Sequence, residues 1–426
     1  MGYILIIILN CLFPLAALIV LLMFFLSPRR GLLKKLREEL RERFVMYPYT
    51  EVLDGSIWIH CASVGEVNSM QSLIVFLKDF YNRPILVTTS TWAGRTAAFK
   101  NPYVDNALLI PFDFYLLTRK FVKILKPHRL MIVEGEIWPN NILACIRHNV
   151  PVYIINGRMS AKSAKKYKFI KPMISLLLKN VSFAALQSEE IRQRYIGLGL
   201  REEISYAPGN VKYDTLKKNP AKVTEVKNLI KKLGWENKKI LVCGSTHIEE
   251  EEMIMQAAAK LAENNIRTVI APRHLERKNA IIESLKNSGA KFALLSHPNG
   301  DNDPDILFAD AMGWLSSFYS FCNIAFVGGT ISKKGGHNLL EPAIAAKPVI
   351  FGPYVYNTPD TAKALLENGG GVQTDKKEFV DVIINLSKDE QRLGSMSAAA
   401  EKTALSFQGA TAKIMELIKE YERTEK

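Results

Sequence analysis

The densest group of chemically capable residues runs from Gly328 to Pro342: Gly328-Gly329-Thr330-Ile331-Ser332-Lys333-Lys334-Gly335-Gly336-His337-Asn338-Leu339-Leu340-Glu341-Pro342. The apolar run 324–327 leads into it and a helix-compatible run, 339–346, leaves it. A strand, a glycine loop and a helix start present backbone N–H groups and a helix dipole to an anion. Glu341, in the first turn of that helix, is placed to accept a sugar hydroxyl. A phosphorylated sugar or a nucleotide is therefore the expected ligand. A single Gly-Gly pair is equally well a tight turn. Two pairs around Lys333 and Lys334, followed by His-Asn and Glu-Pro, favour a ligand. The loop is neither a Walker A motif, lacking a final Gly-Lys-Ser/Thr, nor a dinucleotide fingerprint, lacking G-x-G-x-x-G.

Acid–base candidates lie elsewhere. Glu66 follows the apolar run 57–60 and the small turn Ala62-Ser63-Val64-Gly65, at the start of the next helix. The helix dipole is expected to keep it ionised, able to take the proton of an attacking hydroxyl. An ordinary N-terminal helix glutamate is the alternative. Glu134 and Glu136 flank Gly135 at the end of the run 130–133. Strand-end carboxylates point into the crevice of an open sheet, and neighbouring ones raise each other's pKa. Arg273 and His274 come just after the run 268–271. A guanidinium fork suits phosphate or carboxylate, while His274 serves equally well in packing. Arg158, Lys162, Lys165 and Lys166 form a basic cluster, read either as a solvated helix face or as a contact with lipid phosphate.

Positioning these groups requires strands that end beside them. Short apolar runs at 57–60, 85–88, 107–110, 130–133, 152–155 and 183–186 alternate with helix-length segments. A stretch rich in Pro, Gly, Asn and charge then breaks the pattern at 206–220, and it contains Lys212. A second set follows at 240–243, 268–271, 291–294, 324–327 and 348–351. The alternation predicts an α/β protein of two Rossmann-like, doubly wound parallel sheets with a ligand in the cleft between them. The predicted organisation is a membrane anchor (1–28), an N-terminal domain (29–207), a linker (208–220), a C-terminal domain (221–388) and a closing helical segment (389–426).

Composition narrows the partners. The 426 residues are 48% hydrophobic and carry a net charge of +14. Such a balance suits nucleic acid, an anionic membrane or an acidic substrate. No nucleic-acid recognition motif is present. The five cysteines are scattered with no C-x-x-C pair, which argues against a zinc site and a disulfide framework. The segment 3–26 is almost wholly apolar, broken by Asn10 and Pro14. It is long enough to cross a bilayer of about 30 Å. Arg29, Arg30, Lys34, Lys35 and Arg37 follow, so the positive-inside rule places the rest in the cytoplasm. A basic n-region and a small-residue cleavage site are missing, against a signal peptide. A half-inserted helix bent at Pro14 is the alternative. The segment 34–44 reads as an amphipathic helix at the membrane surface.

The segment Ile57-Trp58-Ile59-His60-Cys61-Ala62-Ser63-Val64-Gly65-Glu66-Val67 resembles the signature of the Kdo transferases. These are GT-B-fold enzymes that move 3-deoxy-D-manno-octulosonic acid (Kdo) from CMP-Kdo to a lipid A precursor. Matching blocks recur in order, including Glu136-Ile137-Trp138-Pro139-Asn140, Gly209-Asn210-Val211-Lys212-Tyr213-Asp214, Gly244-Ser245-Thr246-His247, Pro272-Arg273-His274 and Gly335-Gly336-His337-Asn338. The similarity runs over roughly residues 30 to 420.

The resemblance implies an inverting glycosyltransferase of lipopolysaccharide biosynthesis, on the cytoplasmic face of a bacterial inner membrane, needing no metal or other cofactor. It implies Glu66 as general base, Glu136 as support for the transition state and Lys212 as a stabiliser of developing charge. Pro272 and Arg273 would line the CMP site, with Met312, Gly313 and Trp314 in a nucleotide-contacting loop. Asn338, Leu339, Leu340 and Glu341 would also contact CMP. Some positions depart from the family pattern: Trp314 stands where an acid is common, Gly135 where threonine is usual, Gly157 where alanine is usual, and Trp92 where a smaller residue or proline is common. A sugar-nucleotide epimerase or hydrolase would share the donor site but need no anchor. A non-catalytic nucleotide-binding scaffold would not need Glu66, Glu136 and Lys212 together.

Overall fold

The structure is a computed structural model, and it describes residues 1–25, 33–46, 54–216, 222–298 and 303–424, without the side chains of 13, 15–25 and 33–35. Arg29, Arg30, the side chains of Lys34 and Lys35, and part of the expected linker lie outside the described residues. The chain forms two compact units, Met1–Thr215 with Gln408–Lys426, and Leu216–Phe407.

In the first unit seven strands, β1 (Ile57–Cys61), β2 (Ile85–Thr89), β3 (Asn106–Leu109), β4 (Arg129–Val133), β5 (Val152–Gly157), β6 (Phe183–Leu186) and β7 (Ser205–Tyr206), form one sheet in the order β3-β2-β1-β4-β5-β6-β7. All pairings are parallel. Successive residues face opposite sides and both sides are covered, so the strands read as continuous apolar runs. Trp58, Leu86, Leu130 and Ile154 pack on one face; Ile57, Ile59, Val87, Met131 and Tyr153 pack on the other.

The second unit repeats the plan with β8 (Lys239–Thr246), β9 (Ile266–Pro272), β10 (Phe292–Leu294), β11 (Ile306–Phe308), β12 (Ile324–Val327), β13 (Val349–Phe351) and β14 (Gly371–Gln373), in the order β10-β11-β9-β8-β12-β13-β14. The eleven apolar runs all fall on strands. The strands β7, β11 and β14 were not anticipated, although β10 and β13, also of three residues, were.

The chain's end is divided, not one closing segment. The helix Glu390–Ser406 belongs to the second unit, and the helix Ala410–Thr424 to the first. Ala410, Ile414 and Ile418, spaced along one helical stripe, are buried against the first unit's sheet. The Asp214 carboxylate accepts the N–H groups of Gly409 and Thr411, both at 2.6 Å. Glu422 pairs with the buried Arg129 and accepts the Tyr81 hydroxyl at 2.8 Å. The expected linker is likewise shorter. Val211 is buried in the first unit's core, and Asn156 Oδ1 accepts its N–H at 3.2 Å.

The N-terminal apolar segment forms a helix, Gly2–Phe25. Among the described residues no helix is long and apolar enough to cross a membrane. Its first turns pack on the protein. Ile6 is buried in the core. The Asn10 amide donates to Asn140 Oδ1 at 2.8 Å and accepts the Tyr115 N–H at 2.7 Å. The helix Leu33–Arg43 is pinned through its polar end instead of resting on lipid alone. Glu42, buried, accepts the Leu109 N–H at 2.8 Å and pairs with Arg95 at 2.9 Å, while Arg43 donates to the Ser90 carbonyl at 2.8 Å.

Candidate active site

In the first unit the strand order reverses between β1 and β4, so their connections leave on opposite sides and open a crevice over the two strand ends. Glu66 arrives from β1, Glu134 and Glu136 from β4. Ser63 caps the helix Val64–Ser69, and its hydroxyl and the Ala62 N–H both donate to the Glu66 carboxylate, at 3.2 and 2.7 Å. Glu66 is 8% exposed. Burial above all, then the charges of Glu134 and Glu136, raise its pKa to about 7 against the lowering by the Ala62 and Ser63 bonds. This corrects the expectation of a firmly ionised carboxylate: desolvation outweighs the helix start. A group with that pKa is matched to accept a proton near neutral pH.

The two β4 acids take different partners. Glu134 and Gly135 have φ of +57° and +85°. A Cβ at position 135 would lie 2.0 Å from the Tyr195 hydroxyl, which explains glycine where the resemblance leads one to expect threonine. Glu134 Oε1 lies 2.5 Å from Lys212 Nζ. Glu136 accepts the Trp138 indole N–H at 3.0 Å and lies 3.9 Å from His60 Nε2. His60 above all holds its carboxyl below the usual range, helped by Trp138. The expected raising of Glu136 by its neighbour is thus reversed. Lys212 sits in a short 3₁₀ turn, Val211–Thr215, fastened to the first unit, so it is not a solvated linker lysine.

His60 was missed as a site residue. Its Nδ1 stands 3.1 Å from the Thr88 carbonyl and 3.0 Å from the Thr88 hydroxyl, while Nε2 faces Glu136 at 3.9 Å. The available signal was a histidine inside an apolar, wholly buried strand.

In the second unit four adjacent strands, β11, β9, β8 and β12, deliver the donor candidates beyond their C-terminal ends. Met312, Gly313 and Trp314 follow β11; Pro272 ends β9 and Arg273 comes next; His247 follows β8; the glycine loop follows β12. The Arg273 N–H donates to the Thr246 carbonyl at 3.0 Å and the Gly328 N–H to the Gly244 carbonyl at 2.8 Å. Arg273, His274 and Lys334 are exposed. His247 and His337 stack with their Nε2 atoms 2.9 Å apart. Burial first, then His247 and Arg273, lowers the His337 pKa to about 4, so near neutral pH this ring is uncharged. The Lys222 ammonium lies 4.2 Å from the Trp314 ring centre.

The loop itself overturns one expectation. The N–H groups of Gly329, Thr330, Ile331 and Ser332 do not face a ligand; they donate to the carboxylate of Glu250. The helix that leaves the loop, Leu340–Ile344, is a single short turn or so. Leu339 and Leu340 are wholly buried, backbone and side chain alike, so neither is open to a nucleotide in this structure. Asn338 Oδ1 caps Leu340 N–H at 3.1 Å. Burial raises the pKa of Glu341, and its carboxylate has no partner among the described residues. Among those residues no His, Cys, Asp and Glu group is arranged to hold a metal.

The sequence profile described as 3-deoxy-D-manno-octulosonic-acid transferase (kdotransferase) matches residues 38–215. A 3-deoxy-D-manno-octulosonic acid transferase of Haemophilus influenzae is 31% identical over 397 residues, covering 90% of this chain and 92% of that protein. A bifunctional glycosyltransferase/methyltransferase of Fusobacterium nucleatum is 33% identical over 375 residues, and the chain spans 58% of its length. The crystal structure of a glycosyltransferase from Rickettsia africae superposes with a TM-score of 0.59 at 12% identity, over 86% of this chain and 98% of that one. That likeness shows the GT-B fold. The chain belongs to the 3-deoxy-D-manno-octulosonic acid transferase family and is a glycosyltransferase.

Proposed function

We propose that the chain transfers Kdo from CMP-Kdo to a phosphorylated lipid A precursor such as lipid IVA, with inversion at the anomeric carbon, in lipopolysaccharide synthesis. The observation that carries this reading is Glu66: a nearly buried carboxylate at the end of a central strand, with its pKa raised to about 7. The Ala62 N–H and Ser63 hydroxyl fix its orientation and leave it a lone pair for an incoming O–H. The acceptor oxygen attacks the anomeric carbon, its proton passes to Glu66, and the bond to the CMP phosphate breaks. Glu136, kept ionised beside His60 and Trp138, supports the electron-poor sugar in the transition state. Lys212 balances the charge of Glu134 and the departing negative charge.

On the donor side Arg273, with Pro272 behind it, takes the phosphate or the Kdo carboxylate. Trp314 and the Met312-Gly313 turn border the nucleotide. Glu341, whose carboxylate has no partner among the described residues, accepts ribose hydroxyls, and Asn338 completes the CMP site.

The exposed side chains of Ile4, Ile7, Ile8 and Leu12 form the apolar outer face of the first helix. On this reading that face attaches the enzyme to the cytoplasmic side of the bacterial inner membrane. The exposed Arg158, Lys162, Lys165 and Lys166 add attraction to anionic lipid. The test is incubation with CMP-Kdo and a tetraacylated lipid A precursor, followed by mass spectrometry of the lipid. A gain of one or more Kdo masses is expected. Release of CMP without a lipid gain would replace this reading by a hydrolase.

A further inference from the structure

The N–H nest after β12 already holds an anion, and that anion is a side chain. Glu250 is the third residue of the helix Ile248–Glu263 and is wholly buried. One of its oxygens accepts the N–H groups of Thr330, Ile331 and Ser332 at 3.1, 2.9 and 3.2 Å. The other accepts those of Gly329 and His247 at 2.8 and 3.1 Å. Five donors saturate a carboxylate, and each bond is strengthened by the charge. Without it, the loop amides would be left without these acceptors, a cost that buried N–H groups carry in full.

The loop so held is tied onward. Thr330 Oγ1 accepts the Gly352 N–H at 2.8 Å and the Thr330 carbonyl accepts the Tyr354 N–H at 2.9 Å, beyond β13. At its far end His337 stacks on His247, the residue that begins Glu250's own helix. Both ends of the loop therefore take their position from one helix start.

We infer that Glu250 is a positioning residue for the sugar-nucleotide donor. By filling the nest at 329–332 from inside, it sets the path of the loop that presents His337, Asn338 and Glu341. The donor's anionic groups are left to the exposed Arg273, His274 and Lys334. An empty nest would be ordered by the ligand's phosphate; this one is ordered beforehand. The inference rests on the donor reading above.

Hydrogen exchange on the full-length wild-type enzyme, with and without CMP, tests it, with calorimetry reporting whether CMP binds. Amides in the 329–332 peptide should be protected in the free enzyme and gain nothing when CMP saturates. Fast exchange that CMP slows would overturn the inference. Absence of any CMP binding would overturn the donor reading and this inference with it. Glu250→Gln places an NH₂ group against N–H donors. Its KM for CMP-Kdo should rise about tenfold, with kcat and the acceptor KM changed little, and Glu250→Asp should recover part of the loss. A folded Glu250→Gln enzyme with faster exchange at 329–332 and an unchanged donor KM would reduce Glu250 to a purely structural role. If that variant does not fold, the wild-type exchange experiment decides.

Discussion

Glu66 and Glu250 are each the third residue of the helix that follows the first strand of a seven-stranded parallel sheet. Each of those strands, β1 and β8, borders the reversal in strand order. What differs is the segment across the reversal. Beyond β12 it offers four backbone N–H groups, which Glu250 takes. Beyond β4 it offers Glu134 and Glu136, whose charges add to burial in raising the Glu66 pKa. One glutamate is locked by donors and fixes the loop it holds. The other is left under-satisfied beside like charge and, on the reading proposed above, serves as the base. A local helix-start pattern therefore does not decide a carboxylate's role; the partners that tertiary structure brings to it do.

The comparison is broken most severely by removing the under-satisfied member. Glu66→Ala should lower kcat by about 10²–10⁴-fold, while calorimetry finds CMP binding unchanged. Near-normal turnover would remove Glu66 as the base. Lys212→Ala should slow transfer roughly 10²-fold, because the departing charge loses its cation. It should also sharpen the electrostatic side of the comparison. A base must be deprotonated to act, so kcat/KM should rise with pH and level off above the Glu66 pKa of about 7. With Lys212 gone, the charge of Glu134 is uncompensated, and the limb should move to higher pH. An unmoved limb would uncouple Glu134 from Glu66.

Stability should respond in the opposite sense to activity. The folded pKa of Glu66 is raised above its ordinary value of 4.5. Its favourable contribution is therefore complete below that ordinary value and lost as pH rises through about 7. Glu66→Gln should raise Tm at pH 8, by roughly 2–4 °C for each kcal/mol relieved, and leave it unchanged at pH 4, as thermal scans at both values would show. The smallest expected effect is that of Asn10→Ala. It removes the bonds to Asn140 and Tyr115 and should cost about 1–2 kcal/mol in chemical denaturation, with faster hydrogen exchange at the start of the first helix.

Much of the fold was legible because fully covered parallel strands write themselves as apolar runs. Eleven of fourteen strands were marked in this way. The short strands β7, β11 and β14 went unmarked, while the equally short β10 and β13 did not. Glu66 and Glu136 were legible as candidates from their positions after strands and from the resemblance, and Lys212 from the resemblance alone. His60 was not, since a polar residue inside a strand declares its role only when the neighbour it faces is known. Glu250 sits second in the run Glu249-Glu250-Glu251-Glu252, and nothing in that run separates it from the exposed Glu249 and Glu252 or from Glu251, which is also buried. The division of the C-terminal helices was hidden for a similar reason. The stripe Ala410, Ile414, Ile418 shows that a face must be buried, but not against which sheet.

By itself, then, the sequence determined the two α/β units, the strand ends at which chemistry is placed, and the family. Periodicity and local motifs are properties of neighbouring residues, and the chain states them directly. Only the tertiary structure decided that Glu66 titrates near neutrality, that Glu136 is held ionised by His60, that Lys212 belongs to the first unit, and that the glycine loop's N–H groups are spent on Glu250. Each of these depends on burial or on partners far away in sequence, and the energies of desolvation and pairing exist only once the chain has brought those groups together.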